Sequence, residues 1–132
     1  MPKEPLPREI VAFDYAPYGQ ILPRASVIVH QGGVGTTAQA LRAGRPMLVV
    51  PYNHDQPDNA SRIARLGVGR TLSRKRYNSS HVFKELSELL EDPVYQQRAA
   101  KIGGQIRSEN GTQTACDEIE LRTQESGVRI GR

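Results

Sequence analysis

The chain has 132 residues, 37% of them hydrophobic and 24% charged, with a formal net charge of +4. That is ordinary globular composition at a length suited to one domain, enough for a real core but small for an enzyme with a two-sided cleft. One cysteine, Cys116, excludes an intrachain disulfide, and no apolar run reaches transmembrane length. With no signal-peptide pattern, a cytoplasmic protein without a membrane span is expected. The basic residues are scattered, which argues against nucleic acid and suits a small anionic ligand.

In chain order, residues 1–8 hold three prolines and read as a tail or linker. Glu9 to Ala12 is a short strand candidate, and Asp14 to Gly19 is a loop punctuated by Pro17 and Gly19. Gln20 to Ala25 suits a helical turn. Val27-Ile28-Val29 is a β-branched run that predicts a buried strand with His30 at its end. The glycine-rich turn through Gly32, Gly33 and Gly35 leads into a helix predicted from Thr36 to Arg42, closed by Gly44. Pro46 to Val50 is a second strand and Pro51 to Gln56 a polar loop. Pro57 opens a helix with Ala60, Ile63 and Ala64 on its inner face; Gly67 ends it, and Val68 to Leu72 is a third strand.

The remainder is helical. Asn78 or Ser79 caps a helix with Val82, Phe83, Leu86, Leu89 and Leu90 at apolar spacing. Asp92-Pro93 starts another, carrying Ala99, Ile102 and Ile106. Asn110-Gly111 breaks it, Thr112 caps a last helix through Ile119 and Leu121, and residues 123–132 read as a frayed tail. Residues 9–122 are thus one Rossmann-like α/β domain, a doubly wound parallel sheet flanked by helices in three layers.

Ligands of such sheets bind beyond the carboxyl ends of the strands, where both His30 and Asp55 fall. A strand running through glycines into a helix start gathers backbone N–H groups that have no intrahelical partner, and the helix dipole adds positive potential. Phosphate binding follows. Gly33-x-Gly35-x-x-Ala38 also fits a dinucleotide fingerprint, with Asp55 20 residues past Gly35. Against that, Pro51-Tyr52-Asn53-His54 separates the acidic residue from its strand. No Lys follows Gly35 as a Walker A loop requires.

Each residue also has a plainer role. His30 is equally a strand-end histidine satisfied by backbone. Asp55, read from its position alone, is first a cap of the following helix. Tyr15 and Tyr18 suit a loop rim, His81 a solvated helix start, and Cys116 a packed helix position. There is no Asp-x-Asp pair and no Cys/His cluster, so no protein-held metal is expected.

Four motifs occur in order: His30-Gln31-Gly32-Gly33-Val34-Gly35-Thr36-Thr37, Ala40-Leu41-Arg42-Ala43-Gly44-Arg45-Pro46, Val49-Val50-Pro51 and Asp55-Gln56-Pro57-Asp58-Asn59-Ala60. Together they resemble the donor-binding signature of the UDP-glycosyltransferase family, which includes the sterol glucosyltransferases. The resemblance runs from about Tyr15 to Ile119. It implies the C-terminal half of a two-domain GT-B fold, and so part of a larger transferase. His30, Gly32, Gly33, Val34, Gly35 and Thr36 would hold the donor diphosphate, Asp55 and Gln56 the sugar, and Tyr15, Ala16 and Tyr18 the base.

The chain departs from plant members at Tyr15, where they carry Trp, and at Val34 and Gly35, where they carry Asn and Ser. It departs again at Ala38, beside Gln39, where they carry a ribose-binding Glu. The resemblance implies a nucleotide-sugar donor, and these departures leave both a UDP- and a TDP-sugar open. The resemblance further implies inverting, metal-independent hexosyl transfer to a hydroxyl acceptor, with no cofactor and no catalytic residue in this chain. An N-terminal acceptor-binding domain or subunit would supply the base, so the chain alone is expected to be inactive. Alternatives are a stand-alone donor-binding subunit of a two-chain glycosyltransferase and a dinucleotide-binding module. An open sheet would leave an apolar edge suited to homodimers.

Overall fold

The computed structural model describes residues 2–109 and 111–125. The break at Asn110 and the tail from residue 126 lie outside what is described; the last helix begins at Gly111, one residue before the expected cap at Thr112, and runs to Glu125, three residues into the expected tail. Three short parallel strands form the sheet among these residues: β1 (Ile28–His30), β2 (Met47–Val49) and β3 (Gly69–Thr71), in the order β1-β2-β3. The register pairs Ile28 with Met47 and His30 with Val49, then Met47 with Gly69 and Val49 with Thr71. A short helix α1 (Tyr18–Ile21) and a 3₁₀ turn (Leu22–Arg24) precede β1. The crossovers are α2 (Val34–Ala43) and α3 (Gln56–Leu66), and α4 (Ser79–Glu91), α5 (Pro93–Ser108) and α6 (Gly111–Glu125) follow β3.

The pleat of β2 sorts the core into two layers, because successive strand side chains point to opposite faces. Met47 and Val49 pack with Ile28, Val68, Ala40 of α2, Ala60 and Ile63 of α3, and Ala99 of α5. Leu48 and Val50 pack with Leu72 and Leu89 of α4 on the other side. All four β2-segment residues from Met47 to Val50 are buried, as a central parallel strand requires. Gly69 has no side chain because β2 runs against it: a Cβ would lie 2.5 Å from the Met47 carbonyl oxygen. Arg70 on β3 pairs with Glu85 of α4 and donates to the Tyr95 hydroxyl of α5 at 3.1 Å, tying both helices to the sheet.

The local terminators act as expected. Gly44 and Gly67 close α2 and α3 in the left-handed region, at φ 71° and 72°. Asn78 accepts from the His81 N–H, and Asp92 from the Val94 N–H, as N-caps of α4 and α5.

Several expectations are corrected. Residues Glu9–Ala12 form no strand; the Ile10 N–H turns back to the Pro7 carbonyl at 2.9 Å, and Ile10 and Val11 are exposed. An isolated β segment needs a neighbour to accept its ladder bonds, and none lies beside it among the described residues. Helix α2 begins at Val34 rather than Thr36, since Gly33 already takes the extended cap conformation. Among the described residues the strand order advances in one direction, with no reversal between the three strands. Both crossover helices therefore share one face, and α4 covers the other. Helix α4 turns only Val82, Leu86 and Leu89 inward, leaving Phe83 75% and Leu90 60% exposed. Ala64 and Cys116 are likewise exposed rather than packed.

Candidate functional site

The site forms where β1 turns into α2. Gly32 is buried and left-handed, at φ 95°. A Cβ on it would come within 2.9 Å of Val49 Cγ1 and 3.2 Å of the Gln56 carbonyl oxygen, so the turn lies directly on β2 and on the start of α3. Gly33 then occupies the N-cap position in extended conformation and has no side chain to cap with. The first bond of α2 runs from the Thr37 N–H to the Gly33 carbonyl at 2.9 Å. The N–H groups of Val34, Gly35 and Thr36 are left with no intrahelical acceptor. No side chain caps this end and its first turn holds no acidic residue. The dipole of a ten-residue helix therefore ends in uncompensated positive potential.

His30 braces that turn. Its Nδ1 accepts from the Gly32 N–H at 3.0 Å, and its Nε2 lies 3.2 Å from Met47 Sδ. The ring is thus neutral with the proton on Nε2. Burial pushes its pKa below the ordinary histidine value, because charging it means desolvating a cation. The sign of the linkage follows. On acidification the unfolded chain takes up a proton at about pH 6.5, while the folded protein resists it. Stability is therefore full above that point and is lost below it, as protonation of Nδ1 breaks the Gly32 bond. Thermal unfolding from about pH 7 down to pH 5 is expected to show a steeper loss of Tm for the wild type than for His30→Gln. Equal slopes would remove His30 from the acid dependence.

The loop after β2 faces this turn. His54 takes a left-handed conformation at φ 58°. The Gln56 Oε1 accepts from the N–H groups of Tyr52 at 2.8 Å and Asn53 at 3.2 Å, while its Nε2 donates to Gln31 Oε1 at 3.4 Å. Asp55 stands at the N-cap of α3 but makes no capping bond, contrary to the plainer role weighed for it. Its Oδ2 instead accepts from Asn59 Nδ2 at 3.1 Å. Arg74 lies over the Tyr52 ring, 4.7 Å from its centroid, at the rim of the same strand ends.

A cavity of about 430 Å³ opens at this place, lined by Tyr18, His30, Gln31, Gly33, Thr36 and Gln56. A second, of about 560 Å³, adjoins it through Tyr18 and is lined by Tyr15, Ala16 and Gln39. Volumes of this order suit a small ligand. The structure thus brings together Tyr18, His30, Gly33, Thr36 and Gln56 and sets the Tyr15–Ala16 loop beside them. Gly32 lies buried behind the turn, and Val34 and Gly35 face outward at the helix start. Asp55 lines neither cavity and is tied to Asn59. Asn59 was missed in the sequence as a site residue, although its place four residues after Asp55 puts both on one helix face.

The chain is similar to known proteins over most of its length. The chain is 35% identical over 120 residues to the O-mycaminosyltylonolide 6-deoxyallosyltransferase of Streptomyces fradiae, covering 90% of this chain and 28% of that protein. It is 38% identical over 118 residues to a sterol 3-beta-glucosyltransferase of Yarrowia lipolytica, covering 89% of this chain but 8% of that one. Glycosyltransferase VinC, solved in complex with dTDP, superposes with a TM-score of 0.80 at 27% identity, covering 91% of this chain and 31% of VinC. The chain therefore spans about a third or less of the length of these relatives. Residues 3–124 match the family described as erythromycin biosynthesis protein CIII-like, C-terminal domain. With nearly its whole length matched, and a Rossmann-like parallel sheet shared with solved GT-B glycosyltransferases, the chain belongs to this family of glycosyltransferase C-terminal domains.

Proposed function

We propose that residues 9–122 bind the nucleotide-sugar donor of an inverting, metal-independent glycosyltransferase that moves a hexose from a UDP- or TDP-sugar to a hydroxyl acceptor. The observation that carries this reading is the uncapped start of α2, which opens beside the 430 Å³ cavity with no acidic residue in its first turn. VinC's dTDP supports the TDP-linked donor.

In this reading the N–H groups of Gly33, Val34, Gly35 and Thr36 receive the diphosphate, and Gly32 sets the turn that aims them. Among the described residues the partner of the His30 Nε2–H is a thioether sulfur, a weak acceptor that a phosphate oxygen would replace. Tyr15, Ala16 and Tyr18 take the base, and Asp55 and Gln56 the sugar hydroxyls. As the glycosidic bond breaks, charge grows on the leaving diphosphate, and preorganised N–H donors stabilise that charge in place of a cation. The base that deprotonates the acceptor comes from an acceptor-binding domain or subunit. A cytoplasmic placement belongs to the same reading. So does self-association through β1, whose outer edge is unpaired among the described residues and whose Val29 is 45% exposed.

Isothermal calorimetry in EDTA tests this. UDP or TDP is expected to bind, and NAD is not. Asp55→Asn is expected to weaken TDP-glucose but not TDP, because a carboxylate accepting from hydroxyls contributes about 1.5–3 kcal/mol. Binding of NAD alone, or of nucleoside diphosphates only with added Mg²⁺, would overturn the reading.

A further inference from the structure

We infer that Asn59 is a positioning residue that couples the diphosphate turn to the sugar-binding carboxylate, an inference that rests on the donor-binding reading above. One side-chain nitrogen, Asn59 Nδ2, donates to the Gly32 carbonyl at 2.7 Å and to Asp55 Oδ2 at 3.1 Å. Both backbone polar groups of Gly32 are therefore held: its N–H, in the peptide with Gln31, by His30 Nδ1 at 3.0 Å, and its carbonyl, in the peptide with Gly33, by Asn59. Gly32 itself fits tightly between Val49 and the Gln56 backbone, so its position is set by packing and its tilt by these two bonds. That tilt sets the direction of the next N–H groups, the ones that point at the diphosphate.

The same amide holds Asp55, whose carboxylate otherwise sits on an exposed helix start with no capping bond to fix it. An amide suits this place because it offers an N–H to a carbonyl and a carboxylate at once, which no carboxylate can do. Asn59 is partly buried and is fixed to the loop by its own N–H, which donates to the Asp55 carbonyl at 3.0 Å. A displacement of α3 by a bound sugar would thus be felt at Gly32, and a diphosphate seated on the turn would hold Asp55 in place for the sugar.

Two variants test the coupling, each with a readout that needs no ligand and one that uses TDP and TDP-glucose. In Asn59→Ala, exchange of the Gly32 amide proton is expected to quicken, and affinity for TDP to fall about tenfold, the loss of roughly one hydrogen bond. In Asn59→Asp, two carboxylates face each other, so one is expected to titrate well above the usual carboxylate range. TDP affinity relative to wild type should then be poorer at about pH 8 than at about pH 5, where a shared proton restores a donor. A role confined to packing α3 would give a loss that does not vary with pH. Unchanged Gly32 exchange in Asn59→Ala, or no raised carboxyl titration in Asn59→Asp, would overturn the coupling. A wild type that binds no nucleoside diphosphate would sink the donor-binding reading, while those two ligand-free readouts still judge Asn59.

Discussion

Gly32→Ala is expected to abolish detectable TDP binding and to lower the melting temperature by about 10 °C. Two costs add. The backbone at φ 95° lies outside the region that a residue with a Cβ readily adopts, which costs about 1–2 kcal/mol. The new methyl would also sit 2.9 Å from Val49 Cγ1 and 3.2 Å from the Gln56 carbonyl oxygen. Neither neighbour can yield cheaply. Val49 is fully buried in the central strand, and the Gln56 backbone begins a helix that packs on the same core. Overpacking of this kind typically adds about 1–3 kcal/mol. If the turn relieves the contact by moving, it loses the His30 and Asn59 bonds and with them the aim of the N–H groups. Gly33→Ala is the matched control. A Cβ there meets nothing within 4 Å, and its φ of −61° suits any residue. Its melting temperature should stay near wild type. Differential scanning calorimetry and TDP titration of both variants check this. Equal behaviour of the two would mean that the turn is loose and that Gly32 does not set it.

The turn was legible in the sequence because its chemistry is local. A β-branched strand, a histidine, adjacent glycines and a following helix can be read from consecutive residues. Even there the start of α2 was placed two residues late, since Val34 and Gly35 look like turn residues until the extended conformation of Gly33 is known. Features set by distant neighbours could not be read in the same way. Ile10 and Val11 have strand-forming side chains, but whether they form a strand depends on a partner elsewhere in the fold. Phe83 and Leu90 share the apolar spacing of Leu86 and Leu89. The three strands described here present α4 with a face only wide enough to cover part of that stripe. The reach of Asn59 to Gly32 spans 27 residues and depends on how α3 lies on β1's exit, which no local pattern encodes. Asp55 shows the same limit from the other side. Its position before a helix predicts a cap, yet its carboxylate turns to Asn59 instead.

Val34→Glu is expected to stabilise the domain while weakening TDP binding by at least about tenfold, so that fold and function move in opposite directions. Val34 is the first residue of α2, 72% exposed, with no role in the core. A carboxylate at that position complements the helix dipole and meets unpaired N–H groups, an arrangement that contributes about 0.3–1 kcal/mol. No acidic residue competes there in the wild type, so that gain is still available. The same carboxylate would sit where the diphosphate is proposed to bind. It would repel the ligand's charge and occupy its donors, and a like charge against a ligand at this range costs at least about 1.4 kcal/mol, or a factor of ten. Val34→Gln separates the two effects, because it fills the same space without the charge and should weaken TDP far less. Raising the salt concentration should narrow the gap between the Glu and Gln variants, since an exposed charge is screened. Thermal melts and TDP titrations of the three proteins decide it. A Val34→Glu protein that binds TDP as the wild type does would mean that the start of α2 is not where the diphosphate lies.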